Sequence, residues 1–365
     1  MKKLGILIAI ILFGLTVGTF FIREQRLQTD VTNEQTKVGF LLNGSCTDHS
    51  WGQSHFEGME KSARELNLNV EYRENVAEGQ ECLNAMEELI ASGCEIIICN
   101  SYGFGKWELE VAKRHPEVHF YHATGDTQAR NMATYFGRMY QMRYLSGIVA
   151  GLQTETDEIG YVAAFPISEV NRGINAFTLG VRKVNPDAQV YVEWTDDWYD
   201  DENTERVTRN LLQHHNIDVL AMHTDSLSVL EVAEEEGIWT IGYNLDNSEL
   251  FPKTFLTAPV WQWEKFYEPR ILECLQNRFR GSNYWEGVES GLIALAPLTE
   301  NVKKGTEKIV LEEEEKLKRE TFDVFYGPIK DNTGTLRIGE GESMTDDKML
   351  HEFNWYVEGV CIDGE

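Results

Sequence analysis

The sequence predicts an α/β fold made of two doubly wound lobes, their parallel sheets facing one another across a cleft. Three observations carry this. Short runs that are apolar throughout and rich in Val and Ile, such as "VGFLL" and "EIIIC", alternate with longer amphipathic runs, the pattern of parallel strands covered on both faces by helices. The repeat of roughly 20–30 residues per unit fits right-handed βαβ crossovers. The series also runs twice: "VGFLLNG" opens one set of units, and "IGYVAAFPISE", after the polar stretch "TETDE", opens a second. The result is two Rossmann-like lobes in tandem.

Strands are expected at 38–42, 68–72, 95–99 and 118–122 in the first series, and at 159–165, 188–194, 217–222 and 238–242 in the second. Helices are expected between them at 54–66, 79–92, 106–114, 139–152, 173–184, 203–214 and 226–236. In the first helix Phe56, Met59, Ala63 and Leu66 form one stripe, with Glu57–Lys61 and Glu60–Arg64 as outer pairs. Beyond residue 257 the pattern loosens. "WQWEKFYEPRILECLQNRF" reads as a helix, "EKIVLEEEEKLKRE" as a solvated acidic face, and "TFDVFYGPIKDNTGTLRIGEGE" as a hairpin turning at Asn332 to Gly334. The expected division is 37–157 plus about 258–296 for lobe 1 and 158–257 plus about 297–365 for lobe 2.

The 365 residues suffice for two cores, and a hydrophobic share of 42% is that of a globular chain. Sixty acidic against 33 basic residues leave a net charge of −27. This excludes nucleic acid and anionic lipid surfaces as partners, because both require a basic face. The N-terminus departs from this composition. Lys2 and Lys3 precede an uncharged, mostly apolar run from Leu4 to Ile22, long enough for a transmembrane signal anchor and without a good cleavage site or a lipobox Cys. Residues 1–22 are read as a signal anchor, with a cleaved signal peptide as the rival, and 23–36 as a polar tether. The six cysteines form neither a CxxC motif nor a dense disulfide framework.

The strand ends carry the candidate chemistry: "NGSCTDHSW", "NSYGFGKW" and "ATGDTQARN" in the first series, "FPISEVNRGIN", "WTDDWYDDEN", "HTDSLS" and "YNLDN" in the second. Trp51 lies off the apolar stripe of its helix, among polar residues. With Tyr102, Phe104, Trp107, Phe165, Trp198 and Tyr243 it gives these ends an aromatic character suited to a flat, uncharged, hydrogen-bonding ligand. No G-x-S-x-G elbow or G-x-G-x-x-G loop is present, and "GFGK" lacks the rest of a P-loop. His119 and His122 fall on opposite faces of one strand, and the acidic turn at 196–202 lacks the glycine of a calcium loop. No catalysis, metal or cofactor is expected.

"DHSWGQSHFEG", "HATG", "NMATYFGRMYQMRYLSGIVAG", "IGYVAAFPISEVNRGINAFTLGVRKVNPDA", "HTDS", "TAPVWQWEKFYEPRI" and "VFYGPIKD…EGESMTDD" together resemble the basic membrane protein (PnrA-like) family. These are substrate-binding proteins of ABC importers with the type I periplasmic-binding-protein fold, and the resemblance covers about residues 38 to 360. It implies capture of a purine nucleoside or purine base and a permease partner. It places Asp48 and Trp51 on the base, Gly103 and Phe104 on a second wall, and Asp126 in the cleft. "FPISEVNRGINAFTLG" and "HTDS" look like one subgroup, suited to a bare base such as adenine, with Asp225 accepting from its amine. Asn175 and Trp198 complete the expected ligand set. Two departures matter. Asn244 stands where nucleoside binders carry Asp, and Trp261 where they carry Lys. The implied protein is a monomer on the extracytoplasmic side of the membrane; the alternatives are a ligand-sensing ectodomain or regulator of the same fold and, more distantly, a nucleoside-processing enzyme.

Overall fold

The computed structural model describes residues 35–362. The expected anchor at 1–22 and nearly all of the tether lie outside them. Among the described residues no helix is long and apolar enough to cross a membrane.

The first half of the chain alternates as expected: β1 (Lys37–Leu41), α1 (Trp51–Leu66), β2 (Asn69–Arg73), α2 (Gln80–Ala91), β3 (Ile96–Cys99), α3 (Gly105–Arg114), β4 (His119–Ala123), β5 (Met132–Gly137) and α4 (Tyr140–Gln153). The second series follows with β6 (Glu158–Ala163), α5 (Ser168–Val184), β7 (Gln189–Trp194), α6 (Asp201–His214), β8 (Val219–His223), α7 (Ser228–Glu236) and β9 (Trp239–Ile241). The looser remainder gives β10 (Phe255–Thr257), β11 (Pro259–Trp261), α8 (Glu264–Leu275), β12 (Asn283–Glu286), β13 (Ile293–Leu295), α9 (Thr306–Lys318), β14 (Ile329–Lys330), β15 (Leu336–Ile338), α10 (Asp346–His351) and β16 (Val360–Ile362).

Two six-stranded sheets result, in the orders β12-β5-β4-β3-β1-β2 and β10-β9-β8-β6-β7-β16, and every pairing in both is parallel. In the first sheet the chain winds one way from β1 to β2 and then the other way from β3 onwards. The second sheet does the same about β6, with β7 on one side and β8 on the other. The crevice at each reversal lies outside the carboxyl ends of β1 and β3, and of β6 and β8. The strands are apolar throughout because both faces are covered. Phe40, Ile96 and Ile98 face one core cluster while Leu41, Ile97 and Cys99 face another.

The strand β5 was not anticipated between 122 and 139, although all six of its residues are buried; its mixed Ala, Thr and aromatic composition lacks the Val/Ile run of its neighbours. The helix α5 begins five residues earlier than expected, because β6 stops at Ala163 and Ser168 already opens the helix. The helices α4 and α5 lie backbone to backbone where the two halves join. A Cβ at Gly147 would collide with the Phe177 carbonyl, and one at Gly180 with the Tyr144 carbonyl, so only glycine admits this approach.

The C-terminal segment returns across α5. Asn171 Nδ2 donates to Phe353 O (2.9 Å), Arg172 Nη1 to Met349 O (2.5 Å) and Asn175 Nδ2 to Trp355 O (2.8 Å), while Asn175 Oδ1 accepts from Val357 N (2.8 Å). Asn175, expected in the ligand set, is fully buried and spends its amide on this strap. The Asn175→Ala substitution leaves a buried N–H and a buried carbonyl without partners. It should lower unfolding stability by about 1–3 kcal/mol, read from urea denaturation midpoints. An unchanged midpoint would remove the strap from the stability of this lobe.

Candidate ligand-binding cleft

The start of α1 is organised by Asp48. Its Oδ1 accepts from the backbone N–H of Ser50 (2.8 Å) and Gln53 (2.9 Å), and its Oδ2 from Gly52 (2.8 Å). These are orphan donors of a helix N-terminus, and Asp48 satisfies them from outside the helix, since Ser50 makes no side-chain cap. Burial raises the Asp48 pKa, and the three N–H groups oppose that rise. Asp48 was expected to touch the base; its carboxylate is instead committed to holding Ser50 and Trp51 in place.

Trp51 is 9% exposed, and its indole N–H donates to Asn100 O (3.0 Å). Its ring stands edge-on to a column of three stacked rings: Trp261 on Trp263 (4.4 Å between centroids, 11°) and Trp263 on His55 (4.1 Å, 13°). Trp51 meets His55 at 4.2 Å and 87°, Trp263 at 5.5 Å and 84°, and Trp261 at 5.9 Å and 76°. Edge-to-face contacts of this kind each add about 0.5–1.5 kcal/mol beyond burial. Trp51 thus braces the column instead of standing free as a plate.

Phe104 is fully buried in the cluster of Leu41, Val76, Cys82, Met86 and Phe120, a different cluster from that of Trp51, so it is core and not a facing wall. Gly103 sits against the Glu78 carboxylate, where any Cβ would collide. Asp126 is exposed after β4 and accepts from Thr127 Oγ1 (3.0 Å).

The lobes meet through a chain of polar groups. Asn244 Nδ2 donates to Asp225 Oδ1 (2.8 Å) and to Ser50 Oγ (2.9 Å); Ser50 Oγ donates to Asp225 Oδ1 (3.3 Å); Trp261 Nε1 donates to Asn244 Oδ1 (3.0 Å). Asn247 Nδ2 adds a bond to His49 O (3.2 Å). Asp225 is 8% exposed. Burial, and then the charge of Asp48, push its pKa well up, while Ser50, Asn244 and Tyr199 work against the shift. The Tyr199 hydroxyl reaches across to Gly44, whose Cβ, if present, would lie 2.8 Å from it.

Residues missed in the sequence lie at the two chain reversals. After β1 and β3, Asn43 N donates to Asn100 Oδ1 (2.9 Å), leaving the buried Asn43 Oδ1 and Asn100 Nδ2 without well-formed hydrogen bonds. After β6 and β8, Glu169 Oε2 lies 3.4 Å from His223 Nε2, and His223 Nδ1 lies 3.2 Å from the Tyr161 hydroxyl. The buried Arg143 donates to Met222 O (2.7 Å) and lies 3.8 Å over the Tyr243 ring. The expected Trp198 does stand here, half-buried, 5.8 Å from Phe165 and 6.3 Å from His223. The signal available was "NGS", "NSY" and "FPISE", each directly after a strand. Among the described residues no group of His, Cys, Asp and Glu is arranged to hold a metal ion, and Cys46, Cys82, Cys94, Cys99 and Cys274 are free thiols.

A parallel two-lobed α/β protein with polar and aromatic side chains gathered at both chain reversals is a solute-binding protein in its architecture. Residues 35–324 match the profile of the ABC transporter substrate-binding protein PnrA-like family, and the chain belongs to that family. It is 34% identical over 329 residues to a purine-binding protein of Brucella abortus, covering 90% of this chain and 93% of that one. It is 33% identical over 328 residues to a candidate glucose-binding protein of an ABC transporter from Haloferax volcanii, covering 90% and 81%. In fold it resembles an ABC-transporter solute-binding protein from Conexibacter woesei (TM-score 0.68, 19% identity, 79% of this chain and 98% of that one). The family is one of solute binders rather than enzymes, with a small-molecule ligand and a permease as partners.

Burial opposes ionisation of Glu169, yet His223, Arg172 and Arg143 hold its pKa down to about 2, from 4.5. A carboxylate with a lowered folded pKa stabilises the fold above its unfolded pKa and loses that contribution as pH falls through the folded value. The stability of the protein should therefore decline between about pH 4.5 and 2, and Glu169→Gln should flatten that limb. Urea midpoints measured across this range check it; parallel wild-type and variant curves would contradict the assigned charge.

Proposed function

We propose that the protein captures a purine base in the cleft between its lobes, as the extracytoplasmic solute-binding component of an ABC importer, and presents it as a monomer to the permease. Residues 1–22 would hold it at the membrane. The observation that carries the base over the nucleoside is the state of Asn244. Its carbonyl oxygen is taken by Trp261, and its amide hydrogens by Ser50 and Asp225. A ribose in a closed, dry cleft presents hydroxyls that need partners, each left unpaired at a cost of about 1–3 kcal/mol. Asn244 has no free N–H for them and only one carbonyl lone pair left, and Trp261 brings a bulky ring where the resemblance expects a lysine. The Brucella abortus relative is a purine-binding protein, which supports the same ligand class.

The Haloferax volcanii relative favours a second reading, a sugar ligand on the same fold. The half-buried aromatic pair Phe165–Trp198 suits either a flat base or the C–H face of a sugar ring, so the choice is made by titration. Isothermal titration of the described body with adenine, guanine, adenosine, guanosine and glucose should give tighter binding of the bases than of their nucleosides, and none of glucose. Tighter nucleoside binding would overturn the argument from Asn244, and glucose binding alone would replace purine with sugar. Capture involves hinge closure of the two lobes, and small-angle scattering at saturation should show a smaller radius of gyration than without ligand. Identical curves would exclude closure as the capture step.

A further inference from the structure

Two carboxylates stand at the second lobe's chain reversal, and they differ in what they have left to offer. Asp225 follows β8; its Oδ1 is shared between Ser50 and Asn244, and only 8% of the residue is exposed. Glu169 follows β6 in the first turn of α5. Its side chain is 23% exposed, and only Oε2 faces a close partner, His223 Nε2 at 3.4 Å. The two residues belong to the two strands whose opposite windings create the crevice.

The surroundings of Glu169 are those of a fixed acceptor. His223 is buried and tethered on its other nitrogen by the Tyr161 hydroxyl, which determines its ring orientation. With Tyr161 donating to Nδ1, the proton of His223 sits on Nε2, which lies 3.4 Å from Glu169 Oε2 without a well-formed hydrogen bond. Arg172, anchored on Met349 O, and Arg143, anchored on Met222 O, place two guanidinium charges behind the carboxylate. Arg143 Nε and Nη2 are buried without hydrogen-bond partners. The half-buried rings of Phe165 and Trp198 lie 5.8 Å apart, and Trp198 lies 6.3 Å from His223, the neighbour of Glu169.

We infer that Glu169, oriented by His223, is the group that reads an exocyclic amine on the ligand's ring, while Asp225 serves to join the lobes. This rests on the purine-base reading and adds the residue that sets discrimination within it. An ionised carboxylate accepts from an N–H in a charge-assisted bond, and a ring lacking that N–H leaves the carboxylate desolvated and unpaired. His223 is then a positioning residue. The charges around Glu169 lower its pKa, whereas burial raises that of Asp225, which agrees with this division.

The test compares adenine with unsubstituted purine, which lacks the amine, by isothermal titration of the wild type, Glu169→Gln and Asp225→Asn. The wild type should favour adenine by tenfold or more. Glu169→Gln should reduce that ratio to threefold or less, while Asp225→Asn should weaken both ligands together and keep the ratio. A purely structural Glu169 would lower the melting temperature without changing the ratio. Should Glu169→Gln fail to fold, Glu169→Asp retains the charge between Arg143 and Arg172 but withdraws it by one methylene, and the same collapse of the ratio is expected. A ratio unchanged in the folded variant, or lost in Asp225→Asn instead, overturns the role of Glu169 and leaves the purine-base reading standing. A wild type that binds no purine base overturns both.

Discussion

The Asp225 carboxyl group lies buried where the two lobes meet, and its groups of contact come from three separate parts of the chain. Ser50 belongs to the turn before α1, Asn244 to the segment after β9, and Tyr199 to the loop after β7. A buried carboxyl without partners is expensive, so these segments are held in register by the need to satisfy it. The dependence continues outwards. Ser50 is placed by Asp48, which gathers the N–H groups of the first helical turn, and Asn244 is placed by Trp261, which belongs to the ring column. One buried acid thereby links the helix start of one lobe to the aromatic stack and to the strand ends of the other.

The ring column has its own logic. Stacked Trp261, Trp263 and His55 present edges and faces that Trp51 braces from the side. His55 in turn contacts the Tyr267 hydroxyl through Nδ1, and Trp263 donates to Ser54 Oγ (3.1 Å). The aromatic density of the sequence at these strand ends is thus largely structural. It stiffens one side of the cleft, while the half-buried rings of Phe165 and Trp198 remain on the other.

Most of the fold was legible because its signals are periodic. Apolar runs such as "EIIIC" and the stripe of Phe56, Met59, Ala63 and Leu66 are local patterns, and the two parallel series follow from their order. What was not legible is non-local. Nothing near Asn283 or Val360 announces that each closes the edge of a sheet begun far earlier. The surroundings of the candidate site residues divide along the same line. Asp225, Asn244 and Trp261 do come together. Asp48 and Asn175, however, are polar residues whose partners are backbone groups, and a residue type does not reveal whether its bonds are already used. Phe104 stands two residues past its neighbour Tyr102, which is exposed, yet points into the opposite core. Glu169 was hidden because "FPISE" reads as a loop until the start of α5 is known.

The order of strands in the two sheets also governs how the molecule is made. By Thr257 a growing chain has produced β1 to β5 of one sheet and β6 to β10 of the other, five strands of each. Neither sheet is complete. The first waits for β12, which caps β5, and the second for β16, which caps β7, just over a hundred residues beyond β10. Until those strands arrive, β5 and β7 carry open edges of unpaired backbone groups able to pair with another chain. Both sheets are therefore completed late, and the emerging polypeptide needs shielding at one edge or the other from the appearance of β5 until β16 is made.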